Sequence, residues 1–192
     1  ERLELSRVIR PGRLAQWFFV LSLAVLVAGA ALGLNSPPGR VLLGAGLTAM
    51  AAWLVRYDVA RRTVRLPGQP RYMATAMLAG YAWLGVTGAI LSSGWSGPFS
   101  YDLVLHGVLI GFVLSMVFGH ALIILPAIAR VTLSYGPALY LPLAALHMGV
   151  ASRVAGDMLE LEFLRVSSGP LTALALLAFA LTLALRRRGR GG

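Results

Sequence analysis

The chain has 192 residues, of which 58% are apolar and only 12% are charged, and its mean hydropathy is +0.77. Since a soluble domain carries about 25% charged residues, this composition excludes an ordinary soluble domain and indicates an integral membrane protein. The net charge of +10 comes from 17 basic residues, and the absence of cysteine excludes disulfides, iron–sulfur clusters and thiolate metal sites. All the basic residues are arginines that flank apolar runs, so anionic lipid explains them better than nucleic acid.

The apolar runs predict an all-α fold, a bundle of six transmembrane helices that forms one domain over residues 1–192. Residues 1–13 are a basic, amphipathic lead-in that ends at a Pro-Gly break. The second run has only 15 uncharged residues between Arg40 and Arg56. That is short against the roughly 20 residues that a span needs, so it is expected to depend on snorkelling ends. The predicted spans are 14–34, 41–56, 72–92, 103–129, 137–155 and 170–185.

The arginines predict the orientation of these spans. Four lie in residues 1–13, five in 56–71, one at Arg130 and four in the C-terminal tail, so fourteen of the 17 fall on one side. The other side has three arginines but four of the seven acidic residues. By the positive-inside rule, both termini are predicted to be cytoplasmic, in the inner membrane of a prokaryote.

The three histidines are the candidate functional residues. His106 and His120 lie in the fourth predicted span, fourteen residues apart, which on an α-helix is about 21 Å of rise and within about 40° of one face. His120 is ten residues before Arg130, and His147 is ten residues after Pro137, where the antiparallel fifth span begins. Both are therefore expected at one depth, about 15 Å from the cytoplasmic boundary.

Two interpretations of His120 and His147 follow. Either each histidine is hydrogen-bonded to a hydroxyl or carbonyl group of a neighbouring helix, or the pair ligates one metal centre. Histidine is a common axial ligand of haem iron, and it also binds copper and zinc. His106, nearer the outer surface, is either a second ligand site or an interfacial histidine.

Two further features have a structural and a functional interpretation. Small residues recur every four positions between the histidines, which indicates either tight helix packing or a helix face cleared for a flat cofactor such as a porphyrin. Arg153 either pairs with Asp157 or binds a haem propionate or another anion. The small residues are Gly107, Gly111, Ser115 and Gly119.

The segment HGVLIGFVLSMVFGHALIILPAIAR, followed by LHMGVASRVAGD, resembles the NnrS-like membrane proteins, which contain haem and copper and are linked to bacterial nitric oxide handling. The similarity covers about 55 of the 192 residues. It implies that His106, His120 and His147 are ligand candidates for haem b, with copper as a second cofactor.

These observations together predict a haem-binding membrane protein for electron transfer or nitric oxide binding. Its site would lie between the fourth and fifth spans and include His106, Gly111, Gly119, His120, His147 and Arg153. The expected partners are the lipid bilayer, a redox partner protein or a quinone, and a second copy of the chain. The alternative is a non-redox scaffold or a small-solute transporter whose histidines are only hydrogen-bonded. Motifs for hydrolysis and phosphoryl transfer are lacking in the sequence.

Overall fold

A computed structural model describes residues 12–188 of the chain. Most of the predicted basic lead-in, residues 1–11, and the last four residues of the tail lie outside the described part. Within it the fold is all-helical, apart from one pair of two-residue strands. The helices are α1 (Arg13–Leu32), α2 (Pro37–Tyr57), α3 (Ala60–Thr63), α4 (Gln69–Ser92), α5 (Ser100–Leu105), α6 (Ser115–Ala129), α7 (Tyr140–Leu159) and α8 (Glu162–Leu185).

Six of the segments in residues 12–188 are long and apolar enough to cross a membrane, which suggests a membrane-spanning protein. The first three spans are α1, α2 and α4. The fourth, Ser100–Ala129, joins α5 to α6 through a π-helix at His106–Leu114. The fifth, Pro137–Leu159, is α7 with one preceding 3₁₀ turn, and the sixth is α8.

The second span begins earlier than its charges suggested. Pro37 occupies the first turn of α2, where a missing N–H costs nothing. The side chain of Ser36 caps the helix by accepting a hydrogen bond of 3.1 Å from the Gly39 N–H. Arg40 lies inside the helix because its guanidinium donates to the Leu34 carbonyl at 3.0 Å. The helix α2 therefore extends beyond the predicted bounds 41–56 and has 21 residues.

The sixth span also begins earlier, at Glu162 rather than at residue 170, and Pro170 lies inside it. The connection from α7 is a tight turn in which Glu160 adopts a left-handed conformation with φ of 56°. The first turns of α8 carry Arg165, which pairs with α7. This ion pair accounts for a charged residue inside the helix, at a position where the sequence predicted a loop.

The main core lies where the third to sixth spans meet. Tyr72 of α4, Phe118 of α6 and Leu146 of α7 are almost completely buried there. The rings of Phe118 and Phe179 stack with centroids 3.8 Å apart, which joins α6 to α8. The first span packs mainly on the second, through Gly29, where a Cβ atom would lie 2.6 Å from the Cα of Leu43.

A short antiparallel ladder closes one end of the bundle. Thr132 pairs with Arg188 and Leu133 with Arg187, so the segment after α8 is bonded to the loop between α6 and α7. At the opposite end, the loop before α5 reaches α8, because the ring of Phe99 lies 3.4 Å from the guanidinium carbon of Arg165. The two ends are called the Arg186 end and the Asp102 end below.

Candidate functional site

A chain of hydrogen bonds around His147 joins the third, fourth and fifth spans. The indole N–H of Trp83 donates to Nδ1 of His147 at 3.0 Å. On the other side of the ring, Nε2 lies 3.4 Å from the Ser115 hydroxyl oxygen, and that hydroxyl donates to the Ala76 carbonyl at 2.7 Å. Both nitrogens of His147 therefore have partners within the bundle.

The partners fix the tautomer of this histidine. An indole nitrogen can only donate, so Nδ1 of His147 accepts and carries no proton. The single hydrogen of the Ser115 hydroxyl is used on Ala76, so the hydroxyl oxygen accepts from His147. The proton of neutral His147 is consequently on Nε2, and every donor in the chain has one acceptor.

His106 and His120 have the opposite tautomer. Nδ1 of His120 lies 2.8 Å from the Met116 carbonyl, and Nδ1 of His106 lies 2.9 Å from the Asp102 carbonyl. A carbonyl oxygen only accepts, so Nδ1 must carry the proton in both. Metal-bound histidines commonly donate a ring N–H to a carbonyl in the same way.

The four small residues of the fourth span lie against α4. A Cβ atom on Gly111 would be 2.7 Å from the Cβ of Trp83, and one on Gly119 would be 3.1 Å from the Cβ of Ala76. A Cβ atom on Gly107 would meet the hydroxyl of Thr87, and Ser115 bonds to Ala76. The tight-packing interpretation therefore describes this face, which side chains of the third span cover.

The π-helix explains how residues four apart stay on one face. In an α-helix a four-residue step advances about 400°, so three such steps drift by about 120°. A π-helix closes its hydrogen bonds from residue i to i+5 and so has more residues in each turn. The nine π-helical residues His106–Leu114 thus keep Gly107, Gly111 and Ser115 directed at α4. The angle of about 40° predicted between His106 and His120 assumed an uninterrupted α-helix. That assumption does not hold, because His106–Leu114 is a π-helix.

A second polar group, called the charge cluster, lies at the Asp102 end and joins the fourth, fifth and sixth spans. Asp102 forms a two-point ion pair with Arg153, whose Nε lies 2.6 Å from the carboxylate. Asp157 lies 3.5 Å from Arg153 Nε and accepts a hydrogen bond of 2.9 Å from Arg165. The contact of Arg153 with Asp157 agrees with the first of its two interpretations. The members of the cluster are Asp102, Arg153, Asp157, Glu162 and Arg165.

Asp157 is the most buried member of this cluster. Its side chain has 0% exposure, and two arginines approach its Oδ1, while its Oδ2 has no hydrogen-bond partner among the described residues. A buried carboxylate is tolerated when cations compensate it, and removing one partner is costly. His106 adjoins the cluster, since its Nδ1 is 3.3 Å from an Asp102 oxygen.

Sequence reasoning missed Trp83, and it cited Ser115 only as a small residue. Trp83 sits far from the ends of its span, outside the boundary belts where tryptophan is common. A buried indole N–H usually finds an acceptor, so a tryptophan at this depth was the available signal. Arg165 was placed in a loop and thus not considered as a partner for Asp157.

The geometry tests whether the predicted haem ligands fit. Ligation through Nε2 needs the lone pair of that nitrogen, and in His147 that nitrogen carries the proton. Ligation would require Trp83 to release Nδ1 and Ser115 to release Nε2. Arg153, predicted to bind a propionate, has its guanidinium on Asp102 and on the Arg165 carbonyl. In this arrangement His147 and Arg153 do not fit a haem site, whereas His120 has a suitable tautomer.

The described residues define an all-helical protein with six long apolar segments, of which the third to the sixth are joined by polar groups. The chain belongs to the family described as Domain of unknown function (DUF8744), whose model matches residues 1–188. Nothing among curated proteins or solved structures matches the chain.

Proposed function

We propose that this protein is a non-redox integral membrane scaffold, with six spans, in the cytoplasmic membrane of a prokaryote. The observation that carries the proposal is the hydrogen-bond chain from Trp83 through His147 and Ser115 to Ala76. Its donors and acceptors are matched without a cofactor. Such buried polar contacts hold helices together where hydrophobic burial between them contributes little.

The charge cluster supports the same proposal. It connects three spans through Asp102, Arg153 and Asp157, with Arg165 completing the compensation of the buried carboxylate. A small-solute transporter would have to exchange such partners during each cycle. The ion pairs between these three spans favour a scaffold over a transporter.

Both termini are proposed to be cytoplasmic. Among the described residues, Arg130, Arg186 and Arg187 lie at the Arg186 end, whereas four acidic residues lie at or near the Asp102 end. This division agrees with the positive-inside rule. In this proposal the Asp102 end lies on the outer side of the membrane.

An absorption spectrum of detergent-purified protein tests the non-redox proposal. After expression with added haem, wild-type protein should show no Soret band and contain no stoichiometric copper or zinc. His147→Leu should lower thermal stability, because it leaves the Trp83 N–H and Ser115 without their partner. A stoichiometric Soret band in the wild-type protein would contradict the proposal.

A second candidate function rests on His120 alone. Its Nδ1–H bond to the Met116 carbonyl is the arrangement of a metal-bound histidine. We propose, as the alternative, a haem held by one histidine, whose second axial position would bind a diatomic gas such as nitric oxide. In that case His120→Ala would abolish the Soret band and His147→Leu would preserve it. Two axial histidines would instead make both variants change the spectrum.

A further inference from the structure

The Arg186 end contains a pocket of about 440 Å³ that neither proposed function uses. It lies where the ladder joins the end of α8 to the loop before α7. Its lining combines two arginines, two hydroxyl groups and two apolar side chains: Ser134, Ala138, Thr182, Leu185, Arg186 and Arg187.

The backbone around the pocket is fixed by several hydrogen bonds. The N–H and the hydroxyl of Ser134 both donate to the Arg186 carbonyl at 3.3 Å. Nη1 of Arg186 donates to the Tyr135 carbonyl at 3.3 Å, and its guanidinium lies against Gly136. A guanidinium has five N–H donors, so Arg186 can be held by the loop and still donate to a ligand.

The positive charge of this pocket is not compensated within residues 12–188. The described salt bridges all lie at the opposite end, in the charge cluster and at His106. The two arginines in the pocket wall, Arg186 and Arg187, thus lack carboxylate partners among the described residues and favour an anionic ligand.

We infer that this pocket binds the phosphate headgroup of an anionic phospholipid of the cytoplasmic leaflet. The inference rests on the proposed membrane-spanning orientation, which places the Arg186 end at the cytoplasmic surface. Arg186 and Arg187 supply the charge, while Ala138 and Leu185 provide the apolar side along which the glycerol and the upper acyl chain lie. Basic pockets between helices on this side of a membrane suit such headgroups.

The pocket could also take a soluble phosphate, which shares the anion chemistry but lacks acyl chains. The apolar residues at the end of α8 favour the lipid. Leu185 is 77% exposed at the position where α8 ends and is followed directly by Arg186 and Arg187. This order, an apolar helix end and then cations, matches the order of acyl chain and headgroup at a membrane boundary.

Native mass spectrometry of the full chain tests the inference, with phosphatidylglycerol, phosphatidylcholine and inorganic phosphate as separate probes. Wild-type protein should retain phosphatidylglycerol in preference to phosphatidylcholine, and inorganic phosphate in large excess should not displace it. The combined variant Arg186→Gln with Arg187→Gln should weaken phosphatidylglycerol binding by about fivefold for each arginine removed. Raising the salt concentration should lower the affinity as well.

The matched control is Arg61→Gln with Arg62→Gln, which removes two exposed arginines of α3 on the same proposed side. It should retain the lipid preference. If the combined variant does not fold, Arg187→Gln alone serves, because the ladder holds this residue through its backbone. Equal binding of the two lipids, displacement by phosphate, or equal losses in variant and control would each overturn the inference. Membrane fractionation and the spectrum of the same preparation test the proposed function separately, so the two failures are distinguishable.

Discussion

Trp83 donates its indole N–H to Nδ1 of His147 at 3.0 Å, across the boundary between the third and fifth spans. Because an indole cannot accept, this one contact decides which nitrogen of the imidazole is protonated. The contact therefore distinguishes two roles for His147. In one role the residue binds a metal through Nε2, and in the other it joins helices by hydrogen bonds.

The first prediction concerns this tautomer. Nitrogen NMR of histidine-labelled protein should show the proton of His147 on Nε2, whereas His120 should carry its proton on Nδ1. Trp83→Phe should lower the free energy of unfolding by about 1–2 kcal/mol, because Nδ1 of His147 loses its donor inside the bundle. Thermal unfolding in detergent measures this loss.

The control for that variant is Trp17→Phe. Trp17 is 70% exposed, so its replacement should change stability by less than about 0.5 kcal/mol. A double-mutant cycle between Trp83→Phe and His147→Leu should give a coupling energy clearly above zero. Additive effects of the two substitutions would show that the hydrogen bond contributes nothing.

The second prediction concerns the charge cluster. Arg165→Leu should destabilise the protein by about 3–5 kcal/mol, because it removes one of the two cations that compensate the buried Asp157. Glu162→Gln is the control, since Glu162 has a side chain that is 77% exposed and only touches the edge of the cluster. Its effect should stay below about 1 kcal/mol. Chemical unfolding in mixed micelles measures the free energy of unfolding of both variants. Equal losses would show that the burial of Asp157 does not make its partner Arg165 more important than Glu162.

The third prediction uses two glycines. Gly111→Ala should destabilise the protein by about 1–3 kcal/mol, because the new methyl group would lie 2.7 Å from the Cβ of Trp83. Gly85→Ala, on α4, meets only the Ala51 methyl at 3.5 Å and should stabilise the helix by about 0.5–1 kcal/mol. In thermal unfolding, Gly111→Ala should lower the melting temperature and Gly85→Ala should raise it. A stabilising Gly111→Ala would mean that the fourth span does not pack on α4 at this point.

The fourth prediction is topological. A reporter active only in the cytoplasm should work when fused after Arg190 or within residues 60–65, and it should be silent within residues 93–100. The loop 93–100 lies at the Asp102 end, where Phe99 contacts Arg165, and this end is proposed to face outward. Activity of a fusion at Ser96 would reverse the proposed orientation of the whole bundle.

Hydropathy predicted the number and order of the spans because long apolar runs are a direct consequence of a membrane environment. The helices α2 and α8 nevertheless begin before the predicted starts of their spans, residues 41 and 170. Arg40 bonds to the Leu34 carbonyl and Arg165 to Asp157, and in both cases the partner allows the charge inside a helix. Such partners meet only in the folded chain, so the sequence around Arg40 or Arg165 has no pattern that predicts them.

The site was predictable only in part. The histidines stood out because polar groups in apolar runs are rare. Arg153 contacts Asp157, as one of its two interpretations had it, but its closer partner Asp102 was not foreseen. The tautomer of His147 depends on Trp83, 64 residues away in sequence, and no spacing rule connects the two. The π-helix at His106–Leu114 was likewise not foreseen, since it follows from how the glycines meet α4.

The ladder between residues 132–133 and 187–188 sets the order in which the protein can be completed during synthesis. The loop after the fourth span leaves the ribosome long before its strand partner has been translated. Until the final helix has been inserted and the following arginines have emerged, Thr132 and Leu133 have no edge to pair with. The Arg186 end must therefore be the last part of the bundle to form, and a chain truncated after the fifth span would retain an open strand there.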